Sequence, residues 1–193
     1  MNWGFCMVGN EEAFCEMLQN AAWNARGRTF VYWEIGLGEL RTFYNVEAYL
    51  RRCGPHQFEM TGVDVPGWRP VRPTTAQSLL HLCGSFQWFD RSLPESADFI
   101  FIDACHSYCC ATNDFNGASK CLRPGGIACF HDVNPEIQGT EPQTHCGGAT
   151  IGVRKACEDL GLLDGTRPGW KLIRETTGDV QKGGRGCLFF QKL

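Results

Sequence analysis

The chain has 193 residues, 43% of them hydrophobic and 20% charged, enough for one domain with a sizeable core and short for two. A net charge of -3 supplies no electrostatic footprint for nucleic acid, and no apolar run approaches the roughly 20 residues of a membrane helix. Met1-Asn2-Trp3-Gly4-Phe5 lacks the basic and long apolar regions of a secretory leader, so the expectation is a single cytoplasmic domain, residues 1–193, with neither nucleic acid nor membrane as partner.

Glu11 to Ala25 carries Phe14, Leu18, Ala21, Ala22 and Ala25 at helical spacing, which predicts a covering helix within residues 1–28. Glu11 and Glu12 fall where the helix dipole favours negative charge. Thr29 to Ile35 is a nearly continuous β-branched and aromatic run, the pattern of a strand buried on both faces, and Leu40 to Arg52 reads as helix until Gly54-Pro55 stops it. Between them Glu34 runs into the turn Gly36-Leu37-Gly38, which an ordinary strand-to-helix connection explains as well as a nucleotide pocket does. Asp64 tips the balance, because it closes the next strand, Phe58 to Asp64, within the span of one strand-helix-strand unit. The bland alternative, an N-cap or surface aspartate, weighs less once that strand-end position is counted. Prolines make Arg69 to Pro73 an edge strand, and a capping threonine opens a predicted helix from Thr75 to Cys83.

The central half begins with a buried strand, Ala97 to Asp103, and a helix, Tyr108 to Leu122, closed by Arg123-Pro124-Gly125-Gly126. A strand from Gly126 to Asp132 follows, then an irregular stretch, Asn134 to Gly148, suited to a lid or substrate loop, and a helix from Ile151 to Leu160. Gly169 to Arg174 and Gly186 to Gln191 predict two strands joined as a hairpin through Thr176 to Arg185, since no helical period fills the connection. The fold class is therefore α/β, a doubly wound, mostly parallel sheet of seven strands with an antiparallel edge strand and helices on both faces. Ligands of such sheets bind beyond the carboxyl ends of the strands, where Glu34, Asp64, Asp103, His131 and Asp132 converge.

The 12 cysteines are scattered without CxxC spacing, as small core hydrophobes in a reducing compartment would be. Cys105-His106-Ser107-Tyr108-Cys109-Cys110 has no second ligand pair of the kind a structural zinc site needs.

Phe99-Ile100-Phe101-Ile102-Asp103-Ala104-Cys105-His106-Ser107-Tyr108, then Leu122-Arg123-Pro124-Gly125-Gly126, then Phe130-His131-Asp132-Val133, resemble strand 4, the Pro-Gly-Gly turn and strand 5 of the class I S-adenosylmethionine-dependent methyltransferases. Within that family the likeness is to natural-product and sugar O-methyltransferases and catechol-type enzymes, and it runs from about Thr29 to the carboxyl terminus. The resemblance implies a Rossmann-like methyltransferase fold and S-adenosylmethionine as cofactor. Glu34, Gly36 and Gly38 match positions around its methionine portion, Glu34 meeting the ammonium directly or through water. Asp64 matches the acid that holds both ribose hydroxyls, and Thr75, Ala76 and Gln77 fall where the family borders adenine. His106 stands where sugar methyltransferases carry a candidate general base, although a histidine at a helix start has a purely structural explanation too. Asp103 and Asp132 match metal-ligand positions, with His131 where relatives place a further acid and Cys105 where they often carry one.

The implied reaction is methyl transfer to a hydroxyl of a small molecule or saccharide, with Mg2+ or another divalent cation assisting. His131 is a departure, because imidazole is an unusual magnesium ligand and favours a transition metal, or else serves orientation or acid-base work. A homo-oligomer stays open. A nicotinamide-dependent oxidoreductase shares the strand-end acids, but Arg41 occupies the position of the third glycine in its turn. A noncatalytic cofactor-binding module is the other alternative.

Overall fold

The computed structural model describes residues 9–55, 57–65, 78–82, 84–143, 147–178 and 184–193. The helices are α1 (Glu11–Asn24), α2 (Arg41–Cys53), α3 (Ser85–Arg91), α4 (Tyr108–Cys121) and α5 (Val153–Asp159). The strands are β1 (Phe30–Ile35), β2 (Phe58–Asp64), β3 (Ser78–Leu82), β4 (Ala97–Ile102), β5 (Leu122–His131), the short β6 (Pro142–Gln143) and β7 (Ala149–Thr150), β8 (Trp170–Thr176) and β9 (Cys187–Lys192).

Seven strands form one sheet in the order β3-β2-β1-β4-β5-β9-β8, and β6 pairs with β7 in a separate hairpin. Apolar residues fill both faces of the central strands, and the strand period of two sends neighbours to opposite cores. Tyr32, Phe99, Phe101 and Phe189 meet Phe14 and Leu18 of α1 on one side. Trp33, Ile100, Ile102 and Phe190 meet Phe115 of α4 and Trp170 on the other. Phe14 sets its ring edge-on to Phe99 and Phe101, with centroids 5.4 and 5.2 Å away. Near the amino end of β4, buried Asp98 accepts hydrogen bonds from Arg28 at 2.7 and 2.6 Å, Arg123 at 3.0 Å and the Val31 amide at 2.9 Å. That cluster fastens the end of the sheet remote from the ligand rim.

Three expectations change. Residues 78–82 form a strand rather than part of a helix: β3 lies parallel to β2 in the register Met60↔Ser78 to Asp64↔Leu82, and the helix starts at Ser85. Pairing beside an existing strand overrides a capping signal, since strand propensity depends on the partner surface. The expected edge strand at Arg69 to Pro73 lies outside the described residues. The antiparallel strand is β9, one place in from the edge: it pairs antiparallel with both β5 and β8, which leaves the edge strand β8 running with the parallel set. Finally, β5 starts at Leu122 rather than Gly126, and a register shift between Ala97 and Phe99 absorbs the Pro-Gly-Gly turn.

Among the described residues Cys121, Cys129, Cys157 and Cys187 are buried free thiols, whereas Cys53 and Cys109 are exposed. No helix among them is long and apolar enough to cross a membrane.

Candidate active site

The carboxyl end of β1 approaches the end of β4 so closely that position 36 has no room for a side chain. Gly36 has φ 85°, and a Cβ there would lie 2.3 Å from the Asp103 carbonyl oxygen. Gly38, at φ 47°, faces open space instead, with nothing within 4 Å of a built Cβ. Asp64 ties the turn down: one carboxylate oxygen accepts from the Leu37 amide at 3.0 Å and the other from the Val65 amide at 2.7 Å. Gly36, Gly38, Asp64, Asp103, His106 and Gln143 line a cavity of about 370 Å³ at this rim.

Glu34 is not among the residues lining that cavity. It is 1% exposed, takes the Tyr32 hydroxyl at 2.7 Å and also accepts the Phe43 amide. The Leu40 N-cap makes no side-chain cap of its own, so Glu34 supplies an acceptor to the first turn of α2. Burial pushes its carboxyl well above the ordinary range, against the Tyr32 hydrogen bond. Thr75, Ala76 and Gln77, and His145 of the loop, lie outside the described residues. Because Leu82 pairs with Asp64, the chain after β3, with Gly84 and Ser85, follows on the same side as the cavity acid.

Beside the cavity, four polar side chains meet. Ser107 caps α4 by accepting the Cys110 amide at 3.3 Å, which sets His106 just before the helix. His106 Nε2 lies 3.1 Å from Asp103 Oδ1, and its Nδ1 lies 3.0 Å from Asp132 Oδ2. His131 Nδ1 lies 2.8 Å from the same Asp103 Oδ1 and 3.1 Å from Asp132 Oδ1, an oxygen that is buried without a hydrogen bond. Asp132 itself adopts φ 60°, a left-handed conformation that aspartate tolerates better than most residues and that recurs at functional strand ends.

Burial alone would lower the histidine pKa values, but hydrogen bonds to Asp103 and Asp132 raise His106 to about 9, and the Asp103 charge and hydrogen bond raise His131 to about 10. Burial would raise both aspartates, yet the two imidazoles hold Asp103 far below the carboxylate range and Asp132 below it as well. Among the described residues, Asp103, His106 and His131 bring ligand atoms within 4.8 Å of one another.

Sequence reading missed Arg185. Its guanidinium reaches Asp132 Oδ2 at 3.3 Å and grips Glu141 with two hydrogen bonds of 3.0 and 2.8 Å. A lone arginine in a glycine-bearing connector carries no periodic signal; only its place immediately before β9 hinted at a position on the rim. Gln143 was missed likewise, and its side-chain oxygen accepts the His106 amide at 3.3 Å.

Residues 45–133 match a family described as a methyltransferase domain. A protein from Corynebacterium glutamicum shares the fold at a TM-score of 0.60 and 15% identity, over 96% of this chain and 82% of that one. The chain has the fold of the class I methyltransferases. MycE, a methyltransferase of the mycinamycin biosynthetic pathway solved in complex with Mg, SAH and mycinamycin VI, is similar at 0.58 and 16% identity, over 94% of this chain and 48% of MycE. An O-methyltransferase family protein from Burkholderia thailandensis gives 0.55 and 15%, over 96% and 57%. The chain thus spans about half the length of those last two. Comparison with curated proteins gives no match.

Proposed function

We propose that this protein is a methyltransferase that moves the methyl group of S-adenosylmethionine to a hydroxyl oxygen of a small molecule or saccharide, with a divalent cation assisting. One observation carries the reading: the glycine turn, Asp64, Asp103 and His106 line a single cavity, so the cofactor positions and the proton-handling groups share one wall. A carboxylate can accept from both ribose hydroxyls, and the lone pairs left free by the Leu37 and Val65 amides suffice for that. Bare backbone at Gly38 leaves space for the methionine portion.

The acceptor oxygen attacks the methyl carbon in line, the carbon–sulfur bond breaks with its electron pair left on sulfur, and the hydroxyl proton departs. Holding donor and acceptor at attack distance supplies much of the rate. The proton leaves at the corner formed by Asp103, His106 and Asp132, where it is taken by the fraction of His106 that has first lost the proton its two carboxylate partners favour, and those carboxylates steady the imidazolium that results. A bound cation would acidify the hydroxyl. The MycE complex with Mg, SAH and mycinamycin VI supports both the cofactor and the acceptor class.

Calorimetric titration with S-adenosylmethionine and methyl-transfer assays against hydroxylated acceptors test this reading. Asp64→Ala removes a charged acceptor and should weaken cofactor binding about 10- to 100-fold. His106→Ala should bind normally and lose turnover by about 100-fold or more. The opposite pattern overturns the roles.

A further inference from the structure

Three of the four polar groups at the rim converge on one point. Asp103 Oδ1 lies within 3.1 Å of His106 Nε2 and 2.8 Å of His131 Nδ1, so one carboxylate oxygen and two imidazole nitrogens present themselves together. The other ring nitrogen of His106 is bonded to the Asp132 carboxylate at 3.0 Å. Metal-ligating histidines share that habit: a carboxylate on the second nitrogen fixes the ring and its tautomer. Asp132 Oδ1 is buried without a hydrogen bond, 3.1 Å from the His131 ring, so the carboxylate keeps acceptor capacity toward the same point.

Magnesium suits such a donor set badly. It prefers oxygen ligands and retained waters, whereas two imidazoles with one carboxylate form the open three-ligand set of transition cations. We infer that Asp103, His106 and His131 are the ligands of a transition-metal divalent cation, with Asp132 orienting His106, and that this site discriminates against Mg2+. The inference rests on the methyltransferase reading and changes one role within it. His106 becomes a ligand rather than the proton acceptor, and the acceptor hydroxyl is acidified by the cation at the same rim. Three protein ligands leave positions open for an acceptor oxygen, and that fits a substrate whose hydroxyl oxygen is the nucleophile.

Protein stripped with chelator and titrated with Co2+ provides the test. One equivalent should bring up visible absorption bands, Zn2+ should abolish them, and a 100-fold excess of Mg2+ should leave them in place. His106→Gln and His131→Gln should each weaken Co2+ binding at least tenfold, and Asp132→Asn by about tenfold, the usual effect of losing a group that orients a ligand. X-ray absorption on the Zn2+-loaded wild-type protein should show two imidazoles, a measurement independent of whether any variant folds. Displacement of Co2+ by Mg2+, or absence of imidazole from the zinc shell, overturns the inference. Unchanged Co2+ affinity in folded His106→Gln returns that residue to proton acceptance. S-adenosylhomocysteine binding, followed separately by calorimetry, tests the methyltransferase reading alone, so the two failures are distinguishable.

Discussion

Asp114, on the buried face of α4, is a carboxyl that the proposed reaction does not use. Burial raises it to about 6 against a hydrogen bond from Ser85 and the charge of His106, and Oδ2 is left without a hydrogen bond. Since the folded value lies above the ordinary 3.8, its stabilising contribution is full below that value and is lost as the pH rises through 6. Asp114→Asn keeps the shape and discards the charge, so thermal unfolding at pH 8 should show a gain of up to about 3 kcal/mol, with little change at pH 4. No gain at pH 8 would mean that the ionised carboxyl has a compensating partner. At this scale the sequence was partly legible. Asp64, Asp103, His106, His131 and Asp132 announce themselves as acids and histidines at strand ends, and four of them lie within hydrogen-bonding distance of one another. Arg185 and Glu141 do not, because their meeting with Asp132 depends on how distant loops fold back onto β5.

Among the elements, the junction between β1 and β4 is the tightest. Gly36→Ala drives a methyl group against the Asp103 backbone and forces alanine to φ 85°, so it should lower stability by about 1–3 kcal/mol and reduce S-adenosylhomocysteine binding by shifting Asp103. Gly38→Ala meets nothing within 4 Å in the protein and should leave more of the stability intact while losing binding, because its methyl group stands at the cavity. Unfolding and calorimetry on the pair check the contrast; equal loss of stability would remove it. The clearest elements in the sequence, β4 and α4, are those whose signals are local: six buried positions in a row, all but Asp98 apolar, then a serine cap and a proline stop. β3 was read as helix because its identity resides in the edge of β2, and the order of β8 and β9 was hidden because a hairpin signal fixes antiparallel pairing without saying which strand is inserted.

For the molecule as a whole, the rim couples stability to pH. His106 and His131, at about 9 and 10, sit above the ordinary 6.5, so their pairing with the aspartates stabilises fully below that value and is lost as the pH rises through 9 and 10. Asp103 and Asp132 are depressed, and their share is present above the ordinary 3.8 and lost as the pH falls through their lowered values. The metal-free protein should therefore have its highest Tm between about pH 4 and 6.5 and a falling Tm toward pH 10, read by scanning calorimetry; a Tm rising from pH 6.5 to 10 would contradict the pairing. Arg185 gives the same rim a longer reach. One guanidinium is shared between Asp132 and Glu141, the residue that leads into the β6–β7 hairpin, and Gln143 of that hairpin borders the cavity. A cation arriving beside Asp132 would compete with Arg185 for the same carboxylate, so occupancy of the rim and the anchoring of Glu141 would draw on one guanidinium and could not be independent.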